Sequence, residues 1–227
     1  MINGCKTLKA EFVKFRSMTL LVSASVLSLT LWFSTTAVVP SLVLEYGLGG
    51  ARAALFTSAV QVGFVAGTIS SALMGLADRV EPRRLFTISA LAAAGANAFI
   101  LLLNPMSDML LICRFVAGAC MAGVYPVGMK IAATWAKGDV GLLIGIMVGA
   151  LTLGSAAPHL FNAFGGLNWR FTIVVGSGAA VIGGFLALGI QLGPNQTPSP
   201  PFNPKAALTA FAQPSLRLAN FGYLGHM

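Results

Sequence analysis

The chain has 227 residues, of which 56% are hydrophobic and only 9% are Asp, Glu, Lys or Arg. A soluble domain carries roughly 25% charged residues, so this chain, with a mean hydropathy of +0.84, has too few charges to coat a water-facing surface. A soluble enzyme, a disordered chain and a secreted disulfide scaffold are excluded, and an integral membrane protein remains. The formal net charge of +8 does not point to nucleic acid, because the basic residues lie scattered at the ends of apolar stretches, where membrane topology accounts for them.

A membrane-spanning helix needs about 20 mostly apolar residues, and six runs qualify: Met18–Val43, Ala53–Leu76, Leu85–Leu103, Met109–Ala133, Val140–Phe164 and Phe171–Leu192. They are apolar on all sides and lack the short alternating segments of an outer-membrane barrel. The expected fold is all-α, a polytopic membrane helix bundle. The first run follows a basic segment, residues 1–17, but exceeds the 7–15 residues of a signal-peptide core and holds Trp32 and Pro40 deep inside it. It reads as an uncleaved first span.

The connecting loops are short and their charges set the orientation. Lys6, Lys9, Lys14, Arg16, Arg79, Arg83, Arg84, Lys137 and Lys205 belong to one set of loops and ends, and only Arg52 and Arg170 to the other. A bias of nine to two places both ends of the six-helix block, residues 18–192, in the cytoplasm, in a multi-pass protein of the plasma (inner) membrane. Beyond the sixth run, five prolines between Gly193 and Pro204 forbid a regular helix. Residues 193–214 are expected to form a cytoplasmic linker, with a short interfacial helix at 206–212. Residues 215–227 turn apolar again; 13 residues rise about 20 Å as a helix, short of a hydrocarbon core of about 30 Å, so this stretch reads as an incomplete seventh span and the chain as a truncated one.

Four features stand out within this frame. Asp78, Arg79, Glu81, Arg83 and Arg84 crowd the turn between the second and third runs, where Asp78 can pair with an arginine or face a helix N-terminus and so act as a releasable latch; a purely topological anchor is the alternative. Arg114 lies inside the fourth run, while no acid lies inside any of the six. A charge there is costly and faces a bundle interior or water, so its partner is a backbone carbonyl, a polar side chain such as Gln61 or Asn97, a substrate anion, or an acid outside the chain. Lys130, near the end of the same run, reads as a snorkelling side chain. Gly63 and Gly67, Gly118 and Ala122, and Gly145 and Gly149 are each four apart, a spacing that lets helix backbones approach closely. Tyr125 lies eleven residues after Arg114, near three helical turns, and shares its face, which fits a cavity lining as well as a helix contact. In the fifth run, Pro158 removes a helix hydrogen bond, and His159 near its end reads as an interface residue. Cys5, Cys113 and Cys120 form neither a metal cluster nor an even disulfide framework. No nucleophile with a base, phosphate loop or metal-ligand cluster is visible, so neither an enzyme nor a cofactor is expected.

The arrangement resembles the N-terminal half of the major facilitator superfamily of secondary transporters. The loop between the second and third runs is similar to that family's Gly-x-x-x-Asp-Arg-x-Gly-Arg-Arg signature: Asp78 and Arg79 match in place, Met74 holds the first glycine position with Gly75 one place late, Glu81 replaces the second glycine, and Pro82 displaces the paired arginines to Arg83 and Arg84. The family's fourth-helix pattern of an arginine followed four residues on by glycine is matched by Arg114 and Gly118, with Ala117 where a glutamine is often found. The resemblance implies alternating access between two six-helix bundles about a site near the bilayer midplane, with helices one, two, four and five lining the cavity. The implied cavity residues are Trp32, Gln61, Arg114 and Tyr125, and the implied gating loop is Asp78, Arg79, Arg83 and Arg84. Arg114 favours an anionic small-molecule substrate, and a carboxylate for proton coupling would lie in the missing C-terminal half. The alternatives are a complete six-span protein working with a second copy of itself, a non-transporting assembly subunit, and, against the absence of convergent acids and nucleophiles, a membrane-embedded enzyme.

Overall fold

The computed structural model describes residues 2–165, 168–196, 212–218 and 221, with residues 2–9 described through their backbone alone. Among these residues the secondary structure is helical, with no strand. Six helices are long and apolar enough to cross a membrane: Ala10–Leu29, Gly50–Met74, Pro82–Leu102, Met109–Ala133, Val140–Gly165 and Trp169–Leu188. An all-α bundle follows from the composition, because a backbone in lipid satisfies its hydrogen bonds within each helix.

Two of the expected runs are broken. The first helix, α1 (Ile2–Leu29), starts well before the apolar run and stops inside it. A short bend at 30–33 leads into α2 (Ser34–Ala37) and α3 (Val39–Tyr46), so Met18–Val43 is not one continuous helix. Pro40 sits in the first turn of α3, where its missing N–H costs nothing. The second span is α4 (Gly50–Met74), closed by Gly75 at φ +61°, a left-handed cap that favours glycine; the one-residue-late glycine of the loop motif is this cap. A single turn, α5 (Leu76–Arg79), leads to α6 (Pro82–Phe99), whose first turn is capped by the Glu81 carboxylate accepting from the Arg84 amide. The fourth span is divided into α7 (Met109–Met121) and α8 (Tyr125–Ala133) by turn residues 122–124, with Pro126 in the first turn of α8. The fifth span, α9 (Val140–Gly165), runs unbroken through Pro158, and α10 (Trp169–Leu188) completes the bundle.

Small residues decide which helices approach closely. A Cβ on Gly63 would collide with the backbone of Phe115, one on Gly67 with that of Ala119, and one on Gly118 with that of Val60, so α4 and α7 meet almost backbone to backbone. Gly141, Gly145 and Gly149 of α9 instead face open space; the third glycine pair, expected to pack like the others, has no helix against it here. Hydroxyls and amides stitch α1, α6 and α10 together: Thr30 donates to the Gly176 carbonyl (3.2 Å), Thr87 to the Gly184 carbonyl (2.8 Å), and Asn97 Nδ2 to Ser177 Oγ (2.9 Å).

The core has two parts. One, including Leu21, Phe86, Ile131, Trp135 and Met147, lies toward the end carrying Lys14, Arg83 and Lys137, called the basic end below. The other, including Val38, Phe56, Ile100, Leu110 and Trp169, lies toward the opposite end. At the basic end, the segment after α10 is strapped across the α8–α9 loop: Gly193 N–H donates to Thr134 Oγ1 (2.8 Å), Asn195 N–H to the Thr134 carbonyl (3.1 Å), and Trp135 Nε1 to the Gln191 carbonyl (3.0 Å).

Residues 1–197 form one compact unit and 198–227 a second. Of the second, residues 214–218 are helical and exposed. Most of the expected linker and seventh span, and the interfacial helix but for Ala212, lie outside the described residues.

Candidate functional site

The face shared by the first and second spans is built at the bend after α1. The Trp32 ring packs edge-on against Phe64 of α4, with centroids 4.9 Å apart. The hydroxyls of Thr36 and Thr57 lie 2.8 Å apart in a shared hydrogen bond. Thr57, Gln61 and Phe64 follow the i, i+4, i+7 spacing of one helix face. Gln61 therefore sits on the α4 stripe that meets the bend, between the two contacts, and is itself exposed. Tyr125, at the start of α8, is half-buried and packs against the same core cluster as Trp32 and Phe64. The structure thus brings Trp32 and Gln61 to one face.

Arg114 does not join them as an open cation. It is completely buried, and its guanidinium donates to five neutral oxygens: the carbonyls of Phe56 (3.4 Å), Leu31 (3.0 Å) and Trp32 (2.7 Å), Ser34 Oγ (3.3 Å) and Asn97 Oδ1 (3.4 Å). Of the partners open to it in the sequence, carbonyls and Asn97 are the ones it takes, and Gln61 is not. Asn97 and Ser34 also bond each other at 2.8 Å. Asn97 stands among the partners open to Arg114 in the sequence, whereas Ser34 is legible there only as a polar residue in an apolar run, with no spacing to link it to Arg114.

The loop between α4 and α6 is organised differently from its sequence expectation. Asp78 pairs with Lys130, and Lys130 also donates to the Ala77 carbonyl (2.8 Å). Asp78 also lies in the first turn of α5, and Lys130, the residue expected to snorkel, is one of its partners. Arg83 pairs with Glu81 and donates to the Ile190 carbonyl (3.2 Å), fastening α6 to the end of α10. Arg84 lies 3.9 Å from Glu81 and is largely exposed, and Arg79 is exposed as well. A cavity of about 180 Å³ beside the latch is lined by Thr68, Ser71, Asp78, Ala122 and Pro126, among others.

Two more ion pairs lie at the basic end. Lys14 bonds Asp139 at 2.7 Å and Lys137 bonds Glu11 at 3.1 Å, joining the start of the first span to the α8–α9 loop. The Lys14 ammonium, with help from the Lys137 amide, holds the Asp139 carboxyl down at about 2. At the opposite end Arg52 reaches Asp108 at 3.0 Å. No group of three or more His, Cys, Asp or Glu side chains suited to a metal occurs among the described residues.

Six long apolar helices among the described residues define a multi-pass integral membrane protein. Residues 20–224 match the Major Facilitator Superfamily, and the chain belongs to that superfamily. No curated protein matches the chain.

Proposed function

We propose that this chain forms one six-helix bundle of a secondary transporter that moves a small solute by alternating access, with a second six-helix unit closing the cavity. That unit is either a following segment or a second copy. The observation that carries this reading is the uneven burial of the spans. In α4 and α9 only 17% and 22% of the apolar window is buried, against 56% in the fourth span. Both helices have an exposed face of large apolar residues, Leu55, Val62 and Ile69 on α4 and Leu142, Leu153 and Leu160 on α9. Next to it lies an exposed or open stripe of small and polar ones, with Gln61 on α4 and Gly145, Gly149 and Thr152 on α9. Lipid asks for the first kind of surface; a solute path or a second bundle asks for the second.

On this reading Trp32, Gln61 and Tyr125 belong to the solute-facing wall, which offers an indole, an amide and a phenol. The wall is neutral: the guanidinium of Arg114 is occupied by protein oxygens, so the support it lent to an anionic solute falls away. Asp78 and Lys130 act as the gate latch, with Arg83 fastening α6 to α10 beside it. The charge bias of the loops supports a cytoplasmic N-terminus, in a plasma membrane.

The test is accessibility. In a cysteine-free background, Gln61→Cys is expected to react with a membrane-impermeant maleimide in sealed vesicles, while Val62→Cys, one residue away on the lipid-type face, stays unreactive. If both resist the reagent equally from either side of the membrane, the solute-facing wall is wrong.

A further inference from the structure

The bend that interrupts the first span has a local contribution, the Thr30 hydroxyl donating back to the Leu27 carbonyl (2.7 Å) and the Ser34 hydroxyl to the Leu31 carbonyl (3.1 Å), which bends helices without ending them. Residues 30–33 are Thr, Leu, Trp and Phe, without the proline or glycine to which sharp helix breaks trace. The last carbonyls of α1, Leu27 to Leu29, are taken by Thr30, Leu31 and Trp32, but the bend leaves the Leu31 and Trp32 carbonyls outside any helical ladder, and in a hydrocarbon core each unsatisfied group costs several kcal/mol. Something outside the helix must satisfy them. Arg114 does this from α7: one terminal nitrogen donates to the Leu31 carbonyl and the other to the Trp32 carbonyl, while Nε reaches the Phe56 carbonyl on α4. The Ser34 hydroxyl also donates to Leu31, and Ser34 and Asn97 take the remaining guanidinium contacts. The cation sits where the negative end of the α1 dipole emerges.

We propose that Arg114 is a positioning residue: it holds the first span in its broken form and so presents the Trp32 ring to Phe64 at the solute-facing wall, and it does not bind solute. Three features of the hub support this. A planar guanidinium spreads its donors over a rigid fork and can serve acceptors in the bend, on α2, on α4 and on α6 at once, which a lysine ammonium on a single point cannot. All five acceptors are neutral, and none of the described carboxylates contacts the guanidinium. Finally, the side chain is sealed, so an incoming anion would have to displace bonds that hold the bend. The consequence for transport rests on the reading above; the placement of Trp32 does not, and the experiment reads the placement alone.

The full chain is labelled with 5-fluorotryptophan in lipid nanodiscs, where Trp32, Trp135 and Trp169 give three fluorine resonances, assigned by conservative replacement. Arg114→Lys is expected to shift or broaden the Trp32 resonance while those of Trp135 and Trp169 stay in place and report an intact fold; Phe64→Leu should move the same resonance with Arg114 present. Should Arg114→Lys fail to insert, Ser34→Ala, which removes one acceptor and leaves the other four, is expected to move Trp32 in the same sense by less. An unmoved Trp32 resonance in these hub variants overturns the proposal. So does a wild-type Trp32 resonance that titrates with a panel of organic carboxylates and inorganic phosphate and loses that response in Arg114→Gln, since that is the behaviour of a substrate ligand. A failure of solute transport with Trp32 behaving as expected would count against the transporter reading and leave the positioning role intact.

Discussion

At the scale of single residues, the charges of this protein divide by depth. Arg114, inside a span, meets neutral oxygens alone, while five of the six acids, Asp139, Asp108, Glu81, Asp78 and Glu11, pair near the span ends with Lys14, Arg52, Arg83, Lys130 and Lys137. Asp139 shows what such a pair does. Its carboxyl titrates at about 2 because Lys14 and the Lys137 amide favour the charged form, against an ordinary aspartate value of about 3.9. A group with a depressed folded value contributes stability that is complete above the unfolded value and lost as pH falls through the folded one. The junction between the first span and the α8–α9 loop is therefore expected to hold from neutrality to about pH 4 and to loosen toward pH 2. A carbon-13 titration of the Asp139 carboxyl checks this. Lys14→Gln should raise its midpoint toward the ordinary value, and an unchanged midpoint would remove Lys14 as the cause.

The sequence exposed Arg114 as an unpaired intramembrane charge, because no acid lies in any apolar run, and it named carbonyls and Asn97 among the possible partners. It did not choose between a protein oxygen and a solute anion. That choice depends on the bend after Leu29 turning its carbonyls toward α7, and the residues of the bend carry no breaker to announce it. The pairing of Lys130 with Asp78 was hidden for a similar reason. The distance between the two along the chain conceals that α5 and the end of α8 are neighbours.

At the scale of elements, glycine spacing alone does not distinguish a filled seam from an open one. Gly63, Gly67 and Gly118 each face a helix backbone, whereas Gly145 and Gly149, with the same four-residue spacing, face nothing. Overpacking a tight core costs about 1–3 kcal/mol, and an opposing backbone cannot swing aside as a side chain can. Gly63→Val and Gly118→Val are thus expected to lower the thermal unfolding midpoint of the detergent-solubilised protein clearly. Gly145→Ala and Gly149→Ala should leave it unchanged or raise it, since alanine is favoured over glycine in a helix by up to about 1 kcal/mol. Equal losses in both sets would mean that α9 also has a tight partner within the bundle.

The same helix is tied to its neighbours in an uneven way. Among the described residues, its side-chain hydrogen bonds, Thr152 to Val148 and Ser155 to Thr152, stay within α9. At one end it is anchored through Asp139 to Lys14, and partway along, Gly154 presses on Val26 and Leu29 of α1. Beyond Gly154, among the described residues, no side-chain hydrogen bond ties α9 to another helix. Spin labels at Leu160 and Phe171, at the far end, are expected to give a broader distance distribution than labels at Leu142 and Leu188, near the anchored end. Equal widths would show α9 to be as firmly held as the stitched helices α1, α6 and α10.

At the scale of the whole molecule, one bundle is well packed on one side and open on another. α1, α6 and α10 are laced by buried hydrogen bonds, and the basic end is gathered by the Gly193–Asn195 strap and two ion pairs. α4 and α9 keep small and polar stripes uncovered. A packed bundle with an open face leaves room for the second unit proposed above to cover it.

The amino-acid sequence by itself determined that this is a membrane protein of the major facilitator superfamily, with six spans among the described residues. Length, hydropathy and loop motifs are local properties, and a bilayer permits few alternatives to helices that satisfy their own backbones. Only the tertiary structure decided where those helices break, which glycines are filled and which oxygens receive Arg114. Each of these depends on a carbonyl or a backbone from a helix distant in sequence, and periodicity along one helix does not encode which neighbour it will meet.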